Sequence, residues 1–321
     1  MPPPPRRIII DTDPGVDDAW AIALAVASPE LEVLALTTVV GNADLDTSTR
    51  NAHTLLSMLE RSAIPVAVGA EEPLGGLLPE LIANREFVRQ IHGASGLGGL
   101  PVPDFTPPND GPHAVEAMAG ILAEAAPHSI TVVALAPLTN LALLFDRYPE
   151  HLDAIDRVYM MGGSGNGVGN VTPVAEFNVW ADPEAAQRVL SEPRVEISMI
   201  GLDITLLAAV SPADLDHLTT PIGLALTQMV HGYGDIRDDG WPLHDVVVVA
   251  ALLDDAVIKT QPATVEVDTA RGERRGHTRC TFRSGSSRPV DNAGALPERA
   301  VATHLDRDRF RDVVLSRLSK L

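Results

Sequence analysis

The chain has 321 residues, with 43 Asp and Glu against 24 Lys and Arg, for a formal charge of −19 at pH 7. Such a balance disfavours a nucleic-acid partner, which is held through cationic side chains that release counterions, and 4% aromatic residues leave few platforms for stacking bases. A hydrophobic fraction of 45% supports a sizeable core, the single Cys280 excludes a disulfide framework or a thiolate zinc cage, and no run of about 18 apolar residues is present to span a membrane.

Met1 is followed by four prolines and Arg6-Arg7, a superficially basic leader, but the apolar segment after it lasts three residues before Asp11. That is far short of a signal-peptide core, so residues 1–6 are expected to be a disordered or polyproline tail, residues 7–321 a single domain, and the compartment cytoplasmic.

Ile8-Ile9-Ile10 reads as a buried first strand, and Asp11-Thr12-Asp13-Pro14-Gly15-Val16-Asp17-Asp18 follows it directly. Four carboxylates in eight residues repel one another. Burying even one unpaired carboxylate costs several kcal/mol, roughly, unless a cation or dense hydrogen bonding compensates. Pro14-Gly15 reads as a sharp turn, and Asp17 to Ser28 as a helix with acidic residues in its first turn. Taken singly, Asp17 or Asp18 would pass for a first-turn acid that complements the helix dipole, and Asp11 for a residue that ties the turn together. Together, at the carboxyl end of a strand and a helix N-terminus, they call for a hard divalent cation with oxygen ligands.

Leu31 to Val39, Ile130 to Leu135, Arg157 to Met161 and Val195 to Leu202 read as further buried strands. Thr47 to Arg61, His113 to Ala125, Asn140 to Phe145, Pro183 to Leu190 and the apolar Val246 to Leu253 read as helices. The alternation predicts one Rossmann-like α/β domain, a mostly parallel central sheet flanked by helices. The unusual polar content falls after the strands: Val40-Gly41-Asn42, Ala136 to Asn140, Gly162 to Asn178, and Trp241-Pro242-Leu243-His244-Asp245 before the last of these helices. All can converge on one edge of the sheet. His92 to Gly99, rich in glycine, has the freedom of a lid, and His231-Gly232-Tyr233-Gly234 with Trp241 offers rings for stacking or for packing.

In this order the segments DTDPGVDDAWAI, TTVVGN, IHGASGLGG, LAPLTN, MGG, GNVTPVAEFN and PLHD resemble those of the nucleoside hydrolases, the inosine–uridine-preferring group, from residue 7 to near residue 315. The resemblance implies a tightly bound Ca²⁺, hydrolysis of the N-glycosidic bond of ribonucleosides, and a homodimer or homotetramer. Carried over, Asp13, Asp18, Asp245 and the carbonyl of Leu135 would be calcium ligands, with Asp13 also the base toward the attacking water. With Asp18 bidentate these give five oxygens, and a water and two ribose hydroxyls would complete about eight, within calcium's range. Asp17, Asn42, Asn170, Glu176 and Asn178 match residues that hold the ribose; their carboxamides both donate and accept, as hydroxyl recognition requires. His92 and His244 match histidines near the base, with His244 a candidate proton donor, and Asp11 a supporting residue. Ala136 stands where the family usually has Gly, and Val246 where Pro is common; neither removes a functional side chain.

Two other readings share the motif. Asp11-x-Asp13 after a strand also resembles the nucleophile motif of haloacid-dehalogenase-type Mg²⁺ phosphatases, although Pro14-Gly15 replaces the expected turn and a second Asp pair follows. A non-catalytic nucleoside- or ribose-binding protein would not need both Asp13 and His244. Base contacts are expected from residues 80–100 and 225–243.

Overall fold

The computed structural model describes residues 3–108, 111–283 and 296–321. Its frame is a nine-stranded sheet in the order β10-β9-β11-β6-β5-β4-β1-β2-β3. The strands are β1 (Arg6–Thr12), β2 (Leu31–Thr38), β3 (Val66–Val68), β4 (Ile130–Ala134), β5 (Ile155–Met161), β6 (Ile197–Ile200), β9 (Ile258–Val267), β10 (Thr278–Phe282) and β11 (Glu298–Leu305), with β7 (Ala209–Val210) and β8 (Trp241–Pro242) forming a separate pair. From β3 through β11 neighbouring strands run parallel; β9 is antiparallel to both β11 and β10. The expected α/β architecture is therefore present, with an antiparallel extension built from the C-terminal region.

The order β3-β2-β1-β4-β5-β6 reverses between β1 and β4, and open α/β sheets bind ligands outside the carboxyl ends of strands at such a reversal. The acidic loop leaves β1 there, and Leu135 leaves β4. Ile8, Ile9 and Ile10 are wholly buried, which holds that strand end rigidly.

The helices are α1 (Val16–Ala27), α2 (Leu45–Met58), α3 (Pro79–His92), α4 (Ala114–Ala123), α5 (Thr139–Arg147), α6 (Phe177–Ala181), α7 (Pro183–Leu190), α8 (Leu202–Thr205), α9 (Pro212–Leu215), α10 (Pro221–His231), α11 (His244–Leu253) and α12 (Arg307–Leu318). Residues 16–25 of α1 and 244–252 of α11 are buried on every side. Four consecutive valines are poor helix formers, so burial against its neighbours, not propensity, keeps α11 helical. The β7–β8 pair and the bond from Leu243 N to Ala208 O (3.2 Å) fix where α11 begins, and so where His244 and Asp245 stand.

Two expectations need correction. Arg6 is not in the tail: it already pairs with Leu31 in β1, its amide donating to Glu30 O at 2.8 Å. Pro3 to Pro5 are exposed and irregular, while Met1 and Pro2 lie outside the described residues. Nor is the glycine-rich run after His92 built as a lid. Leu97 is fully buried, Gly98 N donates to His92 O (2.8 Å), and a Cβ on Gly98 would meet Met229 O at 1.9 Å, so this segment is packed hard against α10.

Candidate active site

Above the switch point lies a cavity of about 340 Å³. Its wall includes nine of the residues expected at the site: Asp17, Asn42, His92, Leu135, Asn170, Glu176, Asn178, His244 and Asp245. Asp13 and Asp18 are fully buried beside it, and Asp11, two residues before Asp13 and inside β1, is equally buried. Residues from six segments of the chain have thus been brought to one place.

The floor is a knot of carboxylates. One oxygen each from Asp17, Asp18 and Asp245 lie within 4.8 Å of one another. Asp18 Oδ2 accepts from Gly15 N (2.9 Å) and Asn42 Nδ2 (3.2 Å), and Thr12 donates to Oδ1. Asp13 Oδ2 accepts from Asn42 N at 2.6 Å. Asp13 stands outside the closest trio, but burial, and then the charge of Asp18, raise its carboxyl far above the usual range. Burial followed by the charge of Asp18 lifts Asp17 to about 7, and burial with Asp17, Asp18 and Asp13 nearby raises Asp245 strongly.

Among the described residues no Lys or Arg makes an ion pair with this floor. Asp17 Oδ1 is buried without a hydrogen-bond partner, and His92 Nδ1, 3.9 Å away, is engaged by Val16 N at 3.2 Å. An all-oxygen donor set, an orphaned carboxylate oxygen and mutual repulsion are what a hard divalent cation relieves, so the residues fit such an ion. The Leu135 carbonyl accepts from Asn178 Nδ2 (2.9 Å) and faces the same cavity.

The residues expected to hold the ribose are preorganised. Glu176 caps α6, accepting from Asn178 N (2.9 Å), Val179 N (3.2 Å) and Gly163 N (2.8 Å). Asn178 spends its Nδ2 hydrogens on Leu135 O and Met161 O, which leaves its carboxamide oxygen to accept from a ligand. Asn170 is more exposed, on the loop where its own N donates to Ala175 O at 3.1 Å.

Two histidines also line the cavity. His244 Nδ1 is 2.8 Å from Thr205 Oγ1 and its Nε2 is 3.4 Å from Asp235 Oδ2. Asp235 also pairs with Arg237 Nε at 3.2 Å. His92 accepts from Val16 N through Nδ1, so the neutral ring carries its proton on Nε2. Burial, followed by His244, drops its pKa to about 3. Its ring packs on Tyr233, centroids 5.2 Å apart.

Tyr233, Asp235 and Arg237 line the cavity inside the region 225–243; Tyr233 was among the rings noted in the sequence, whereas for Asp235 and Arg237 only the region was foreseen. The same is true of Phe87, Val88 and Ile91, presented by α3, whose Pro at the first turn was a usable helix signal. Trp241 is not a stacking platform: it is buried, and its ring packs on His231 at 5.6 Å. Asp11 cannot serve as a phosphatase nucleophile, being buried beneath the cavity with Oδ1 held by Thr37 Oγ1 (2.6 Å) and Asn140 Nδ2 (2.8 Å).

Residues 8–312 match the family model described as inosine-uridine preferring nucleoside hydrolase. This chain belongs to that family. Among curated nucleoside hydrolases, it is 39% identical to the pyrimidine-specific ribonucleoside hydrolase RihA of Salmonella arizonae, over 97% of each chain. Among solved structures, a plant nucleoside hydrolase, PpNRh1, superposes with a TM-score of 0.87 at 35% identity, covering 99% of this chain and 100% of that one. The purine-preferring ribonucleoside hydrolase of Gardnerella vaginalis superposes at 0.84 with 28% identity, covering 98% of both. The acidic floor of this nucleoside hydrolase joins Asp17 and Asp18, from the segment after β1, to Asp245 of α11.

Proposed function

We propose that this nucleoside hydrolase cleaves the N-glycosidic bond of ribonucleosides, giving ribose and free base, with Ca²⁺ held by Asp13, Asp18, Asp245 and the Leu135 carbonyl. The observation that carries this reading is the buried, uncompensated carboxylate floor directly beneath a cavity lined by Asn42, Asn170, Glu176 and Asn178. When bound, the ion supplies charge compensation, a seat for vicinal hydroxyls and a more acidic water.

The protein's own groups then divide the work. Asp17, Asn42, Asn170, Glu176 and Asn178 bind the ribose hydroxyls. A water attacks the anomeric carbon while Asp13 accepts its proton. The C–N bond breaks, its electron pair leaves with the base, and His244 supplies the proton that neutralises the departing nitrogen. Positive charge developing on an oxocarbenium-like ribose is favoured by the surrounding carboxylates. Tyr233, Asp235 and Arg237 face the base end. Pyrimidine ribonucleosides are the leading substrates, a preference supported by the name of the 39% identical relative. A cytoplasmic homodimer or homotetramer completes the proposal on the strength of the family resemblance; among the described residues no helix is long and apolar enough to cross a membrane.

The test is release of reducing sugar from a panel of pyrimidine and purine ribonucleosides, with and without chelator. Turnover that is lost on chelation and restored by Ca²⁺ is expected. Full turnover by rigorously metal-free protein would overturn the metal assignment, and binding without turnover would return the non-catalytic reading.

A further inference from the structure

Asn51 belongs to no segment of the acidic floor or of the cavity wall, yet it joins the two. It sits on α2 with 1% of its surface exposed. Its Nδ2 donates to Pro14 O and to Ser95 O, both at 2.9 Å. Pro14 lies in the acidic loop, immediately after Asp13; Ser95 lies in the turn that closes back onto His92 through Gly98 N. We propose that Asn51 is a positioning residue for the hydrolytic reaction, clamping the acidic loop to the turn after α3 and thereby holding His92 in the cavity wall.

The packing around this clamp leaves no room for an alternative. A Cβ on Gly96, whose φ is +82°, would stand 2.7 Å from Asn51 Nδ2, and one on Gly15 would stand 2.4 Å from His92 Nδ1. Both loops therefore approach the carboxamide and the imidazole as bare backbone. The other amide atom, Asn51 Oδ1, is buried with no partner. A buried oxygen without a donor is costly, so a residue that only filled space would better be apolar. What the amide supplies is two donors aimed at two carbonyls on different loops.

The floor itself has other anchors. Asp13 is held by Asn42 N, and Asp18 by Thr12 and Gly15 N. Among the described residues, the side chain of His92 hydrogen-bonds to this part of the chain through Val16 N, and while α10 packs against its turn from the other side, the clamp ties that turn to the acidic loop. Removing the clamp should act through His92.

The inference rests on the hydrolase reading, and the experiment separates the two. Asn51→Ala, His92→Ala and the double variant are compared with wild type by kcat/KM for the best ribonucleoside, below each variant's melting temperature. Asn51→Ala should lose about 10- to 100-fold, the size of effect a reacting geometry suffers when misplaced by about an ångström. In the His92→Ala background the same substitution should cost less than about threefold, because there is no imidazole left to misplace. Should Asn51→Ala fail to fold, Asn51→Ser, which keeps one donor, carries the same cycle with a smaller first loss. An Asn51 variant within twofold of wild type, or losses that multiply in the double variant, would overturn the proposal. Wild-type protein that releases no ribose from any ribonucleoside would instead overturn the hydrolase reading.

Discussion

Gly41→Ala tests the placement of Asp13 without touching the carboxylate. A Cβ at residue 41 would stand 1.8 Å from Asp13 Oδ2, 2.7 Å from Asp13 Cγ and 3.0 Å from a Pro137 ring carbon. Ordinary contact begins at 3.4 Å, so the carboxylate must retreat by about 1.6 Å. It cannot do so freely, because it is fully buried and Oδ2 takes the Asn42 amide at 2.6 Å. A displacement of about 1 Å in a reacting group is enough to cost roughly 10²-fold, and kcat should fall by at least that much. Stability should fall much less. The backbone at Gly41 lies outside the left-handed region, so alanine is conformationally acceptable there, and overpacking costs about 1–3 kcal/mol. Gly120→Ala is the control: it lies exposed in α4 with nothing within 4 Å of the added carbon, and should keep full activity with equal or higher melting temperature. The assay is reducing-sugar release alongside thermal melting. A Gly41→Ala enzyme with kcat within threefold of wild type would refute the crowding argument and the assignment of Asp13 as base.

Three further outcomes follow from the site. Asp18→Asn should lose cation affinity and turnover together, measured by calorimetry and sugar release. In chelated protein, burial and then Asp18 hold Asp17 near 7 against 3.8 for the ordinary group, so the unfolded state ionises first as pH rises; Asp17's contribution to stability is full below about pH 4 and lost up to about pH 7, so the melting temperature of wild type relative to Asp17→Asn should fall across that window and flatten when Ca²⁺ is added. Replacing a ribonucleoside by its 2′-deoxy analogue leaves buried polar groups unpaired and should cost about 10⁴ in kcat/KM; comparable values would contradict the ribose-binding assignments.

Much of this was legible in the sequence for a physical reason: buried parallel strands are nearly continuous apolar runs, and Ile8 to Ile10, Ile130 to Ala134 and Ile197 to Ile200 are all of that kind. The strands β9, β10 and β11 were not foreseen because they carry exposed polar side chains instead of a continuous apolar run, and because Pro262 argues in the sequence against a strand although β9 is paired on both sides. The carboxylates announced themselves by violating the core's chemistry. Thr205 and Asp235, which flank His244, gave no such signal, since a threonine in a short apolar helix and an aspartate in a loop are ordinary residues until the fold sets them on either side of an imidazole.

The leaving-group end separates most cleanly by substrate. In the proposed mechanism Asp13 serves the water that every substrate needs, so Asp13→Ala should depress kcat for natural nucleosides and for p-nitrophenyl riboside alike. In the same proposal His244 serves the base, whose need for a proton depends on its own leaving ability, and nitrophenolate departs unprotonated. His244→Ala should therefore depress kcat for natural nucleosides by about 10²- to 10⁴-fold, the usual worth of a positioned general acid, and far less for the activated riboside. The surroundings of His244 make the comparison informative: Thr205 and Asp235 occupy its two ring nitrogens, and its chain neighbour Asp245 belongs to the carboxylate trio. An equal loss on both substrates would mean that the ring serves to place Asp245; His92, neutral with its proton on Nε2 because Nδ1 accepts from the Val16 amide, would then only hydrogen-bond the departing base.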